Sequence, residues 1–127
     1  MEDAKCIFCK IVAGKVLAYK IYEDESFVAF LDLYPVAKGQ ALVIPKKHMG
    51  SKFYEAEDKE LAGLMLVAKK VSKAIIKKLP AKRVSLVLEG LDVNHLHVKL
   101  YPDRGIAHLG PKATDEELEE IRKKIAE

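Results

Sequence analysis

The sequence predicts an α+β fold, with a mainly antiparallel five-stranded sheet, one long helix and a C-terminal helix. Three observations carry that expectation. Short runs rich in aromatic and β-branched residues are separated by turn residues, one long segment has helical periodicity instead, and the elements come in the order strands, helix, strands, helix. With 127 residues, the chain is long enough for one hydrophobic core and too short for two ordinary ones, so residues 1–127 are read as a single domain.

The first two strands are expected in "AYKIYED" and "SFVAFLDL", a hairpin around the acidic turn "EDES". "PVAKG" is turn chemistry, and "QALVIPK" is a third strand whose apolar run stops at Pro45. From about Glu57 to Leu79, the residues Leu61, Leu64, Met65, Ala68, Val71 and Ile75 follow the spacing of an amphipathic helix. Acids (Glu57, Asp58, Glu60) crowd its first turn and lysines (Lys73, Lys77, Lys78) its last, as the helix dipole favours, and Pro80 stops it. "RVSLVLEG" and "VNHLHVKLY" are read as strands four and five, joined by a short turn around Gly90 and Asp92. The chain closes on "TDEELEEIRKKIAE", where Thr114 and Glu117 have capping-box spacing and Leu118, Ile121 and Ile125 mark one face.

Half the residues are apolar and 32% are charged, the balance of a soluble globular protein. The longest apolar runs, such as "LAGLMLVA", fall far below membrane-spanning length, so no membrane association is expected. "MEDAK" leads into no secretory-type segment, which makes a cytoplasmic location the default expectation. The net charge of +3 is modest and the lysines are scattered without interleaved aromatics, so no nucleic-acid binding is expected.

Chemistry concentrates in two places. Cys6 and Cys9, the only cysteines, form a C-x-x-C, which in a reducing compartment points to metal or redox chemistry rather than a structural disulfide. A thioredoxin-like redox pair needs a strand just before the motif, and only five residues precede Cys6, so zinc is favoured. "NHLHVKLYP" places His95, His97 and Lys99 at every second position. On a strand, Leu96, Val98 and Leu100 then point into the core while His95, His97, Lys99 and Tyr101 share the other face. Zinc takes four ligands in a tetrahedron; two cysteines leave two to be supplied by histidines. His95 with His97, or one of them with His48, would complete the set, and spacing does not choose between them. His108, in "RGIAHLG", is read as a solvated side chain.

Three blocks, "CIFCKIVAGK", "FVAFLDLYPVAKGQALVIPKKH" and "EGLDVNHLHVKLYP", taken in order, resemble the histidine triad (HIT) family of nucleotidyl hydrolases and transferases over nearly the whole chain. The resemblance implies a HIT-like fold, an apolar pocket for the base at Ile7, Phe8, Ile11, Val16 and Phe30, an acidic contact to the ribose at Asp32, and Leu33 against the sugar. It implies His97 as the nucleophile that attacks an α-phosphate. It also implies the zinc-carrying C-x-x-C subgroup, with Cys6, Cys9, His48 and His95 as ligands of a structural Zn2+. A purine nucleotide or nucleotide conjugate is the implied partner, and a homodimer the implied assembly, for which Leu66, Val67 and Ile76 would widen the apolar stripe of the long helix.

The chain departs from the family pattern at several points. Lys99 replaces the third histidine of the triad and is expected at the reaction centre, as a point charge for phosphate oxygens. Gln40 stands where many members have another active-site histidine. Leu88 replaces a phosphate-contacting asparagine, and Leu91 and Asp92 stand roughly where glutamine and serine often lie. Asp92, Gln40 and Asn94 are the polar groups left to take over some of those contacts.

Overall fold

The computed structural model describes residues 4–105 and 110–126. Strands β1 (Lys20–Glu23), β2 (Phe27–Leu31), β3 (Ala41–Pro45), β4 (Val84–Val87) and β5 (Val98–Pro102) form one sheet in the order β1-β2-β3-β5-β4. Every neighbouring pair is antiparallel. Helices α1 (Ile7–Val12), α2 (Asp58–Lys78) and α3 (Asp115–Ala126) complete the α+β architecture, as expected.

The central strands are buried on both faces, which is why "FVAFL" and "ALVIP" read as continuous apolar runs rather than alternating ones. Alternation sorts their side chains between two layers. Phe27, Ala29, Ala41, Val43, Val98 and Leu100 pack with Leu64, Val67, Ala68, Val71 and Ile75 of α2. Val28, Phe30, Leu42 and Ile44 face the other way and pack with Cys6, Phe8, Cys9 and Ile11 of the N-terminal segment. The β1–β2 turn is held by Asp24, whose Oδ1 accepts from the backbone N–H groups of Ser26 and Phe27 at 2.8 and 2.7 Å.

Helix α2 starts and stops within one residue of its sequence-derived limits. Its buried stripe is rotated slightly: Val67 is in the core, while Met65, Leu66 and Ile76 are 44%, 66% and 40% exposed. Gly63 lets the helix approach the sheet, because a Cβ there would lie 2.8 Å from the Phe27 ring. The capping box of α3 forms as expected, with the Glu117 N–H donating to Thr114 Oγ1 at 3.2 Å and the Thr114 N–H to Glu117 Oε1 at 3.1 Å. Its apolar face, however, is exposed at Leu118, Ile121 and Ile125, and α3 buries no residue.

Two local features differ from the sequence reading. Helix α1 was not expected; at six residues it is too short to show a helical period, and its N-cap is Cys6 itself, whose Sγ accepts from the Cys9 N–H at 3.4 Å. Strand five begins at Val98 rather than Val93. The His95 N–H turns back to the Val93 carbonyl and the Leu96 N–H bonds Met49, both at 2.9 Å, so the chain leaves the ladder while keeping its side-chain alternation. His108 lies outside the described residues.

Candidate functional site

The face of the sheet away from α2 carries the two cysteines, the apolar residues assigned to the base, and the side chains of His95 and His97. Cys6 and Cys9 are brought there by the first turn of α1, His48 by the loop after β3, and His95 by the irregular stretch before β5. One ligand atom from each lies within 4.8 Å of the other three, so the four could hold a metal ion. Cys6 Sγ is 3.4 Å and Cys9 Sγ 3.6 Å from His95 Nδ1; Cys9 Sγ is 3.3 Å from His48 Nδ1; the two Nδ1 atoms are 3.2 Å apart. A tetrahedral centre with bonds of about 2.0–2.1 Å to nitrogen and about 2.3 Å to sulfur spaces nitrogens about 3.4 Å apart and nitrogen from sulfur about 3.6 Å. The observed edges match that figure.

The tautomers follow from acceptors that can only accept. His95 Nε2 lies 2.8 Å from the Pro45 carbonyl, so Nε2 carries the proton and Nδ1 presents a lone pair to the cysteines. Burial pushes the His95 imidazole below its ordinary pKa, which keeps it neutral and able to ligate. His97 is arranged the other way round. Its Nδ1 lies 2.7 Å from the His95 carbonyl and must donate to it, leaving Nε2 with the free lone pair. Phe8 is packed edge-on against both rings, with centroids 5.7 Å from His95 and 5.1 Å from His97, and against Phe30 at 5.8 Å. His97 is only 2% exposed.

Beside these rings lies a cavity of about 300 Å3, mostly apolar. Ile7, Phe8, Ile11, Val16, Phe30, Asp32, Leu33, Asp92 and Lys99 all line it. Leu17, Ala18, Leu42 and Val93 line it too and were missed by sequence reasoning; the alternation that puts Phe30 on this face also puts Leu42 there.

The polar groups around the cavity form two units. Asp32 Oδ1 accepts from the Tyr34 N–H at 2.9 Å and Oδ2 from Gln40 Nε2 at 2.7 Å, while Gln40 Oε1 accepts from the Val36 N–H at 2.8 Å. Gln40 is buried behind Asp32 and does not line the cavity. At the other end, Lys99 Nζ bonds Asp92 Oδ2 at 3.1 Å, and Asp92 Oδ1 stands 3.6 Å from His97 Nε2. Partial burial pushes the Asp92 carboxyl up, but the Lys99 ammonium outweighs it and holds the carboxyl below its usual range. Desolvation likewise lowers Lys99, and the Asp92 bond more than restores it, so the lysine stays charged.

Two further candidates, Asn94 and Leu88, turn elsewhere. Asn94 Oδ1 accepts from the Ser51 N–H at 3.0 Å, and Ser51 Oγ donates to the Gly90 carbonyl at 2.8 Å, so Asn94 braces a loop. Gly90 permits that brace: its φ is +73°, and a Cβ would lie 2.7 Å from Ser51 Cβ. Leu88 packs toward the α2 layer.

An open antiparallel sheet with a helix on one face, and on the other a thiol–imidazole cluster next to an apolar cavity, with a second histidine packed behind the cavity residues Phe8 and Asp92, defines a class of α+β protein with a compact polar centre. The chain belongs to the HIT family, whose domain matches residues 14–106. It is 37% identical over 129 residues to an uncharacterized HIT-like protein of Methanocaldococcus jannaschii, covering 94% of this chain and 98% of that one. It is 39% identical over 105 residues to adenosine 5'-monophosphoramidase of Saccharomyces cerevisiae, covering 80% and 65% respectively. The crystal structure of SMU.412c from Streptococcus mutans superposes with a TM-score of 0.87 at 32% identity, covering 98% of this chain and 85% of that one.

Proposed function

We propose that this single-domain chain hydrolyses a purine nucleoside monophosphate derivative, of phosphoramidate or dinucleoside polyphosphate type, through a nucleotidyl-histidine intermediate. The observation that carries the proposal is the tautomer of His97: with Nδ1–H committed to the His95 carbonyl, the Nε2 lone pair is the nucleophile. The base enters between Ile7, Phe8, Ile11, Val16 and Phe30, Leu33 lies against the sugar, and Asp32, oriented by Gln40, accepts from the ribose hydroxyls. The name of the yeast relative supports the reaction class.

Nε2 attacks the α-phosphorus, and the bond to the leaving group breaks with its electron pair. The departing group takes a proton from solvent. As the ring becomes cationic, its Nδ1–H bond to the His95 carbonyl strengthens, which stabilises charge developing in the transition state. Water then attacks the same phosphorus, the P–N bond returns its pair to Nε2, and a nucleoside monophosphate is released. Lys99 attracts the phosphoryl oxygens as a point charge.

Cys6, Cys9, His48 and His95 would hold Zn2+. With four protein ligands, it would pin the N-terminal segment to the stretch before β5 and have a structural role. No helix among the described residues is long and apolar enough to cross a membrane, which agrees with a cytoplasmic protein. Met65 and Ile76, exposed and three turns apart on one line of α2, support a homodimer through that helix.

Rapid quenching with an adenylate labelled at the α-phosphate tests the central claim. Label on the wild-type protein and none on His97→Ala is expected; no label on wild type, or equal label on the variant, defeats it. A second reading, a zinc-stabilised nucleotide-binding module with weak or no catalysis, is favoured by one observation: the Asp92 carboxylate stands in front of Nε2. Calorimetric binding without turnover of any nucleotide derivative would establish that reading.

A further inference from the structure

The cavity beside His97 has an unusual charge balance for a place where a phosphate is to sit. Its lining residues include two carboxylates, Asp32 and Asp92, and one cation, Lys99. That cation is already engaged, 3.1 Å from Asp92 Oδ2. The other oxygen of Asp92 is 3.6 Å from His97 Nε2, so the carboxylate bridges the nucleophile and the lysine, the two groups a phosphoryl would have to approach. Asp92 is 60% exposed and reaches this position from the turn before His95, without burial to force it there.

A phosphoryl group held against Nε2 and Nζ must share the lysine with Asp92 or push the carboxylate aside. Either way its negative charge lies a few ångströms from the carboxylate. The cost rises with the charge the phosphoryl brings, because Coulomb energy is linear in charge. We propose that Asp92 is a specificity-determining residue that makes the site sort ligands by phosphoryl charge, admitting a monoanionic, substituted phosphoryl in preference to the dianionic phosphate of a nucleoside monophosphate. This rests on the nucleotide-hydrolase reading. A phosphoramidate or phosphodiester has one ionised oxygen at the phosphorus, whereas the product of its hydrolysis has almost two at neutral to alkaline pH. Asp92 thus favours substrate over product and hastens product departure.

The test compares three adenosine ligands at pH 8 by calorimetry, on wild type and Asp92→Asn. They are adenosine itself, its 5'-methylphosphate, which is monoanionic and has a poor leaving group, and the dianionic 5'-monophosphate. Removing the carboxylate charge changes the affinity of adenosine, which has no phosphoryl charge, least of the three; relative to adenosine it tightens the methyl ester about fivefold and the monophosphate by roughly the square of that factor, on the order of 25-fold. High salt shrinks both gains. A monophosphate gain no larger than the ester's overturns the charge-sorting role and leaves the proposed function standing. If none of the three ligands binds either protein, the nucleotide reading fails and this inference with it.

Discussion

His95 and His97, two residues apart, present opposite ring nitrogens to the two halves of the site. His95 donates Nε2–H to the Pro45 carbonyl and aims Nδ1 at Cys6, Cys9 and His48; His97 donates Nδ1–H to the carbonyl of His95 itself and leaves Nε2 unprotonated, 3.6 Å from Asp92 Oδ1. The polypeptide that fixes one ring also fixes the other. The two substitutions therefore separate. On the proposed mechanism, His97→Ala is expected to lower turnover by a factor of about 10^3 or more, as for loss of a nucleophile, while leaving the proposed zinc site and the fold intact. His95→Ala loses metal and stability together. Steady-state rates and elemental analysis on the same preparations distinguish the two.

Metal removal gives a second prediction. Among the described residues of the N-terminal segment, Phe8, Ile11 and the two cysteines are the ones buried against the β2–β3 face, so the proposed zinc ties down a short stretch with little core of its own. Chelation or Cys9→Ser is expected to cost at least about 2 kcal/mol, read as a fall in Tm of roughly 6–10 °C. Equal melting temperatures for protein with about one zinc per chain and for fully stripped protein would contradict a structural role.

Gln40 supplies a third. It reaches Asp32 Oδ2 at 2.7 Å and the Val36 N–H at 2.8 Å, and so sets the carboxylate from behind. Gln40→Leu removes both bonds and leaves Asp32 held only through Tyr34. Loss of one charge-assisted hydrogen bond corresponds to about 1.5–3 kcal/mol, so ligand affinity should fall at least tenfold. The effect belongs in Kd or KM, with the trapped-intermediate yield at saturation unchanged, because Gln40 lines no part of the reaction centre.

The legible parts of this sequence are those where one local period decides the outcome. Helix α2 and strands β2 and β3 are apolar patterns with turn residues at their ends, and the cavity residues on them follow from alternation once the face is known. The cluster that could hold a metal draws on residues from positions 6 to 95, and no spacing rule spans that distance; resemblance chose the set. Helix α1 escaped notice because six residues held by a cysteine cap carry no period. The partnership of Lys99 with Asp92, seven residues apart across an irregular turn, was also hidden, since the strand is interrupted at Val93–His97 by backbone bonds that side-chain pattern does not report.

Acid stability depends in part on Asp24. Partial burial raises its pKa, but the bonds from Tyr22 Oη and the Ser26 and Phe27 N–H groups outweigh this and hold it below its ordinary value of 3.8. A carboxyl whose folded pKa is depressed contributes stability above its unfolded pKa and loses it as pH falls through the folded one. Asp24→Ala should therefore be less stable than wild type near neutral pH, by about 1 kcal/mol, with the gap closing as pH drops below 3.8. Urea midpoints of the two proteins measured between neutral and acid pH check the sign.

The exposed line on α2 gives the last prediction. Met65 and Ile76 are eleven residues apart, which at 100° per residue brings them within about 20° of each other on the helix surface. Both are apolar and at least 40% exposed; Lys69, within about 40° of Met65, lies between them and can run its aliphatic stem along the line with its ammonium at the rim, while the lysines of the last turn stand clear. A second copy of the chain covering this line would bury two apolar side chains from each protomer at the axis, where a charge finds no water. Ile76→Glu is therefore expected to weaken self-association at least tenfold while leaving the melting of the isolated chain nearly unchanged, since Ile76 lies outside the core formed by Leu64, Val67, Ala68, Val71 and Ile75. Sedimentation velocity across a concentration series reads the result, and a wild-type protein that stays monomeric throughout would rule out assembly through this face.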